Sequence, residues 1–211
     1  MLIDPAVIQT ILNVTNTPLT GVFHVGAHDC EEMVFYNQWG LTPDKIVWID
    51  AIQSKVDEGK ARGIPNIYQA VITDKDNEVV MFHESNNVQS SSILNFKTHL
   101  QEHPWVHYIK TTPMETITVD TFFQRNNLDA SKYSFWNFDI QGAELLALKG
   151  AEESLKYANA LYLEINEKEL YENCGLVGEV DAFLLERGFS RANTHMTHHG
   201  WGDALYLKTS N

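Results

Sequence analysis

Basic residues are scarce in this chain. Lysine and arginine together number 15 against 28 aspartates and glutamates, a formal net charge of −13, and no basic run occurs. Binding to duplex DNA or to an RNA backbone rests on such residues neutralising phosphates, so the composition argues against a nucleic-acid partner and equally against an anionic membrane surface. Cysteine is rarer still. Cys30 and Cys174 form no disulfide framework, which points to a reducing compartment and a cytoplasmic location. No apolar stretch approaches the length of a membrane span, and Met1-Leu2-Ile3-Asp4-Pro5 lacks a basic region followed by an apolar run, so neither an anchor nor a signal peptide is expected. Glycine is missing where a dinucleotide fold requires it. Gly26 is followed by Ala27, His28, Asp29 and Cys30, not by the two further glycines that admit a pyrophosphate and pack helix on strand. Asp29, Glu31 and Glu32 would also meet a pyrophosphate where bare N–H groups are needed. A cofactor without phosphates therefore fits this loop better than NAD.

What is present reads as one α/β domain over residues 1–211, with 44% hydrophobic and 20% charged residues and no repeat or low-complexity tract. The organising stretch is Gly21 to Glu32. Val22, Phe23 and Val25 suit a buried strand, Gly26 allows a sharp turn, and Asp29 with Glu32 has the spacing of a helix-starting capping box. Asp4-Pro5 opens a short helix within an N-terminal extension, 1–19. After the glycine turn, Glu31 to Trp39 reads as a helix. Lys45 to Asp50 reads as an almost wholly apolar strand, Ser54 to Arg62 as a helix closed by Gly63, and Asn66 to Ile72 as a third strand. This βαβαβ series is half of a doubly wound sheet. Residues 77–83 read as an edge strand and 84–112 as an insertion, polar in its first part and rich in aromatics and histidines in its second, suited to a lid or an acceptor wall. Thr116 to Val119 is extended and Val119 to Asn126 helical. Strands then end at Asp139 and Glu164, helices cover 143–157, 167–173 and 177–187, and two final strands flank a histidine-rich turn at 194–200.

Three acids thus stand at the ends of three predicted parallel strands: Asp50, Asp139 and Glu164. Carboxyl ends of a doubly wound sheet line one crevice, so acids distant in sequence converge there. Each taken alone reads better as a helix cap or a solvated charge; the three together beside a glycine loop read as a site. Asp50 is placed to accept hydrogen bonds from ribose hydroxyls. Asp139 is placed to bind an ammonium or take a proton, with Glu164 in support. Asp139, Glu164 and Asn166 offer oxygen ligands for a hard cation but no compact motif, so no metal is expected. His195, His198 and His199 invite a zinc reading that an exposed turn explains better. His28 faces the crevice from the central loop.

Together these pieces resemble the FkbM family of S-adenosylmethionine-dependent methyltransferases. The resemblance is carried by Phe23-His24-Val25-Gly26-Ala27-His28, Trp48-Ile49-Asp50-Ala51, Ser90-Ser91-Ser92-Ile93-Leu94 and Thr118-Val119-Asp120-Thr121-Phe122. It continues through Phe138-Asp139-Ile140-Gln141-Gly142-Ala143-Glu144-Leu145, Leu148-Lys149-Gly150-Ala151-Glu152, Tyr162-Leu163-Glu164-Ile165 and Trp201-Gly202-Asp203-Ala204-Leu205. It implies a Rossmann-like class I methyltransferase fold, a doubly wound and mostly parallel sheet with a C-terminal antiparallel strand. It also implies methyl transfer from S-adenosylmethionine to a hydroxyl of a sugar, glycan or small natural product. On this reading the cofactor is held by His24, Gly26, Ala27, His28, Glu32, Asp50, Ala51, Ala70, Val71, Ser91, Asp139 and Gln141. The family often has an acid where His24 stands, which shifts the methionine ammonium toward Asp139 or Glu144. Asp139 is the first choice of base, with Glu144, Glu164 and His28 behind it. A nicotinamide-dependent oxidoreductase and a catalytically silent adenosine-binding module are the alternatives.

Overall fold

A computed structural model describes residues 1–209; the last two residues of the expected domain, 210 and 211, lie outside the described residues. In chain order the elements are α1 (Pro5–Val14), β1 (Val22–Val25), α2 (Met33–Gln38), β2 (Ile46–Asp50), α3 (Gln53–Ala61), β3 (Ile67–Gln69), β4 (Val71–Ile72) and β5 (Val79–Ser85). There follow α4 (His99–Glu102), β6 (Tyr108–Ile117), α5 (Val119–Arg125), β7 (Phe135–Phe138), α6 (Glu144–Lys149), β8 (Ala160–Asn166), α7 (Val177–Leu185), β9 (Phe189–Met196) and β10 (Trp201–Lys208).

Seven strands form one sheet in the order β3-β2-β1-β7-β8-β10-β9. β3, β2, β1, β7 and β8 pair in parallel, and β10 runs antiparallel to both its neighbours. Every residue of β1, β2, β7 and β8 is buried, as a sheet covered on both faces requires. Alternate residues feed two cores. Phe23, Val25, Val47, Trp136, Phe138 and Leu163 face α5, α6 and α7. Val22, Trp48, Phe135, Tyr162 and Leu205 face α1, α2 and α3. Asp4 caps α1 by accepting from the Ala6 amide at 2.8 Å, with Pro5 in the first turn, as the sequence predicts.

Four expectations are corrected. Asp29 and Glu32 form no capping box: His28 and Cys30 adopt left-handed backbone angles (φ 42° and 55°), the chain turns twice, and α2 begins only at Met33. Asp29 instead accepts from Lys55 at 3.0 Å. The third strand breaks at Ala70, and its second part, β4, joins β6 and β5 in a separate three-stranded sheet. β6 is far longer than the short extended run expected near Thr116. Half of its residues are exposed and only the last two are buried, so it lacks a core face to impose alternation on the sequence. Residues 167–173 are not helical. Their backbone is claimed by the insertion, with Lys97 N donating to Leu170 O at 2.7 Å and Glu172 N to Asn95 O at 2.8 Å.

Candidate active site

The carboxyl edge of the parallel strands opens into a cavity of about 570 Å³. The strand order fixes what arrives there: Ala70 after β3, Asp50 at the end of β2, Gly26 after β1, Asp139 after β7 and Glu164 on β8. Gly26 is the crossing point. It has φ +92°, and an added Cβ would lie 1.8 Å from the Asp139 carbonyl oxygen, so the turns after β1 and β7 touch only because this residue is glycine. The amides of Gly26 and Ala27 both donate to Ile49 O, at 2.8 and 2.9 Å. Asp50 is 8% exposed; its Oδ2 accepts from His28 N at 2.7 Å and its Oδ1 from Ile52 N at 2.8 Å, so one carboxylate sets two loops. Burial raises its pKa against the pull of those two bonds.

Across β7, β8 and β10 the register builds a row of acids. Asn137 pairs with Tyr162, which carries Asp139 to the level of Glu164, and Glu164 pairs directly with Asp203. Residues opposed in this way lie side by side on one face. Gln141 ties the row together: its Nε2 donates to Asp139 Oδ1 and to Glu164 Oε2, both at 2.7 Å, while its Oε1 accepts from the Tyr171 hydroxyl at 2.7 Å. The Tyr162 hydroxyl donates to Asp203 Oδ2 and accepts from the Leu2 and Ile3 amides at 2.9 and 3.2 Å. Ser92, from the insertion, donates to Gln141 O at 2.9 Å.

Buried carboxyls so close cannot all ionise freely. Burial pushes Asp139 up to about 6, reinforced by the Asp203 charge and opposed by Gln141. Burial, then the charges of Asp139, Glu144 and Asp203, holds Glu164 well above the usual carboxylate range. Asp203 is raised by burial, against its bond from Tyr162. The row is thus primed either to keep a proton or to accept a cation.

The structure sorts the predicted residues. Gly26, His28, Glu32, Asp50, Ala51, Ala70, Val71, Ser91, Asp139, Gln141 and Glu164 all line the cavity. His24 does not: it lies in the core, stacked near Trp48, with Nδ1 3.0 Å from the Tyr36 hydroxyl and Nε2 3.2 Å from Gly26 O. Its side chain is spent on packing because it sits mid-strand rather than after the strand end. Ala27 is likewise buried away from the wall. Glu144 is no base. Its Oε1 accepts from Ile140 N at 2.8 Å and Gly142 N at 3.3 Å, the residue is 2% exposed, and burial pushes its pKa up to about 8. It positions the turn that carries Asp139 and Gln141. His28 is at the wall, its Nδ1 2.7 Å from Glu31 Oε1.

For a metal, only His28, Asp29 and Glu31 among the described residues bring three ligand atoms within 4.8 Å of one another, and Asp29 is already paired with Lys55. Asn166 is fully buried and is not at the cavity wall, so the oxygen set with Asp139 and Glu164 does not assemble. His199 pairs with Glu102 at 2.8 Å, with its ring 3.8 Å from that of His198.

Sequence reading missed Asp203, Tyr171 and Trp201 at the wall, while His99 comes from the insertion expected to form an acceptor wall. His99, 4% exposed and stacked on Phe96 at 4.4 Å, has a buried Nδ1 without a partner, and burial lowers its pKa to about 4.

This wall suits S-adenosylmethionine. It offers a carboxylate at the end of β2 for ribose hydroxyls, apolar Ala70 and Val71 for a purine, and acids for a sulfonium and an ammonium. The methyltransferase FkbM domain matches residues 24–191. The 2-O-methyltransferase NoeI of Sinorhizobium fredii (strain NBRC 101917 / NGR234) is 30% identical over 113 residues, 50% of this chain and 45% of that protein. The chain therefore matches less than half the length of this relative. Among solved structures, the Bacillus cereus O-methyltransferase in complex with SAH superposes with TM-score 0.52 at 10% identity, covering 100% of this chain and 82% of that one. TrmK of M. capricolum, in complex with S-adenosyl-homocysteine, gives 0.52 at 7% identity over 99% and 69%. These two likenesses show the fold, with β10 as its antiparallel strand. The chain belongs to the FkbM-domain family of S-adenosylmethionine-dependent methyltransferases.

Proposed function

We propose that this protein transfers the methyl group of S-adenosylmethionine to a hydroxyl oxygen of a sugar, a glycan or a small natural product. One observation carries the reading: the row Asp139–Glu164–Asp203, with Gln141 bridging Asp139 and Glu164 and Asp203 paired beside Glu164, at the wall of the cavity that also holds Asp50. The name of the relative NoeI, a 2-O-methyltransferase, supports oxygen as the nucleophile.

The cofactor supplies an electrophilic methyl on a cationic sulfur. Asp50, Gly26, His28, Ala51, Ala70 and Val71 would hold its adenosyl part. An alcohol is a weak nucleophile, so a base must take its proton as the new bond forms. Asp139 suits this role. With its pKa pushed up to about 6 it is ionised at neutral pH yet more basic than an ordinary carboxylate. Gln141 holds it in place and leaves its second oxygen free of the amide. Glu164, raised above the usual carboxylate range by burial and then by its acidic neighbours, stands beside it on Gln141. Such an acidic cavity has no use for a nucleic-acid or membrane partner.

The test combines calorimetry with S-adenosylhomocysteine and with NADH, then transfer of labelled methyl to a panel of glycosides. Binding of S-adenosylhomocysteine and label on an ether oxygen are expected. Binding of NADH alone would make the protein an oxidoreductase, and binding without turnover on any hydroxyl would make it a silent adenosine-ligand module.

A further inference from the structure

We propose that the acceptor carries no anionic group near the hydroxyl that is methylated: it is a neutral or ammonium-bearing glycoside, and not a sugar phosphate, a nucleotide-linked sugar or a uronate. The inference rests on the O-methyl reading above and deepens it.

Six carboxyl side chains line the cavity: Glu31, Glu32, Asp50, Asp139, Glu164 and Asp203. No lysine or arginine lines it among the described residues. The cations near the insertion are already paired elsewhere. Lys97 is held by Glu169, while Lys110 lies 2.7 Å from Glu84 and Lys168 2.7 Å from Glu102. Recognition of a phosphate or carboxylate needs charge-assisted N–H donors, which arginine and lysine supply best. Here an anion would meet Glu164 and Asp203 instead, in a partly dry site where repulsion is weakly screened. The histidines at this end offer no substitute. Burial lowers the pKa of His99 to about 4 and, with the charge of His199, lowers that of His103.

The wall also has a positive feature. His99, Trp105, Tyr171 and Trp201 line it, and behind them Phe96, which is not itself at the wall, stacks between His99 and Tyr108 at 4.4 Å on each side. Tyr171 packs against the same ring at 5.6 Å, and Trp105, 66% exposed, reaches the cavity from the end of the insertion. Flat aromatic faces bury the C–H face of a sugar ring, and the acid row then accepts from its hydroxyls. Carboxylates that accept hydroxyl protons bind neutral polyols or ammonium groups equally naturally.

The experiment is calorimetry on the protein saturated with S-adenosylhomocysteine, using methyl hexosides each matched with its phosphate ester and its uronate. The neutral member of each pair should bind more tightly by on the order of 100-fold, since opposing a like charge costs several kcal/mol and 1.4 kcal/mol is tenfold. Gln89 is exposed at the cavity wall, outside the acid row, so Gln89→Lys should fold and should narrow that ratio by about tenfold. A phosphate ester or uronate that binds as well as its neutral partner overturns the proposal. A neutral preference combined with methyl appearing on nitrogen or carbon would uphold it and refute only the oxygen reading.

Discussion

The two ends of the cavity are held by different kinds of bond. At the β1–β2–β3 end the work is done by backbone amides. Gly26 and Ala27 donate to Ile49 O, His28 and Ile52 to the Asp50 carboxylate, and Ala70 to Asp50 O at 3.1 Å. At the β7–β8–β10 end side chains hold one another: Gln141 with Asp139, Glu164 and Tyr171, and Tyr162 with Asp203. A frame of backbone bonds is indifferent to most side-chain changes and suits a ligand that never varies. A network of side chains can be retuned one residue at a time and suits an acceptor. The cofactor half and the acceptor half should therefore fail separately under mutation, except where they touch.

They touch at Gly26, so Gly26→Ala should have the largest effect. The left-handed turn and the 1.8 Å approach to Asp139 O together predict destabilisation of about 3 kcal/mol, read by urea unfolding, with loss of S-adenosylhomocysteine binding. An alanine variant of normal stability would show that the two halves are not joined there. Next comes Tyr162→Phe, which removes the donor to Asp203 and the acceptor of the Leu2 and Ile3 amides. It should cost about 1–3 kcal/mol of stability yet change cofactor affinity less than twofold. Loss of cofactor binding in this variant would erase the distinction between the ends.

A smaller effect concerns pH. Glu144 goes from an ordinary value of 4.5 to about 8 on folding, so the folded state holds the extra proton between those values and stability declines as pH rises across that window. Glu144→Gln keeps the oxygen that caps Ile140 and Gly142 and removes the titration, so its melting temperature should fall less from pH 4.5 to 8. An identical slope would mean Glu144 is ionised when buried. Smallest of all is the effect of EDTA: activity should be unchanged, because the three-ligand group at His28, Asp29 and Glu31 already holds Lys55. Activity abolished by EDTA and restored by magnesium would put a cation at the acid row.

The same contrast explains what the sequence disclosed. The cofactor half was legible because it is local: an apolar strand, a glycine and an acid at the next strand end place Gly26 and Asp50 without tertiary information. Asp139 and Glu164 were legible by the same rule. Asp203 was not, because β10 is antiparallel and brings its first residues, not its last, to the carboxyl edge. Glu144 misled because an acid opening a helix beside Asp139 looks the same whether it faces the cavity or caps the turn. His24 misled through its place in the family motif, although two residues before the strand turn its side chain points into the core. The insertion showed no period because Ser85, Asn86 and Ser92 satisfy its backbone one bond at a time instead of through a helix or a ladder.

We propose that Asp50 serves the cofactor and Asp139 the reaction, and one paired measurement decides it. The S-adenosylhomocysteine dissociation constant and the turnover at saturating cofactor are determined for both Asp50→Ala and Asp139→Asn. Asp50→Ala should weaken binding by about 1–3 kcal/mol with turnover little changed. Asp139→Asn should lower turnover by about 10²–10⁴ with affinity changed less than tenfold. Asp139→Asn that abolishes binding but keeps turnover at saturation would contradict this division, making Asp139 a clamp for the methionine ammonium and moving the base to Glu164 or His28.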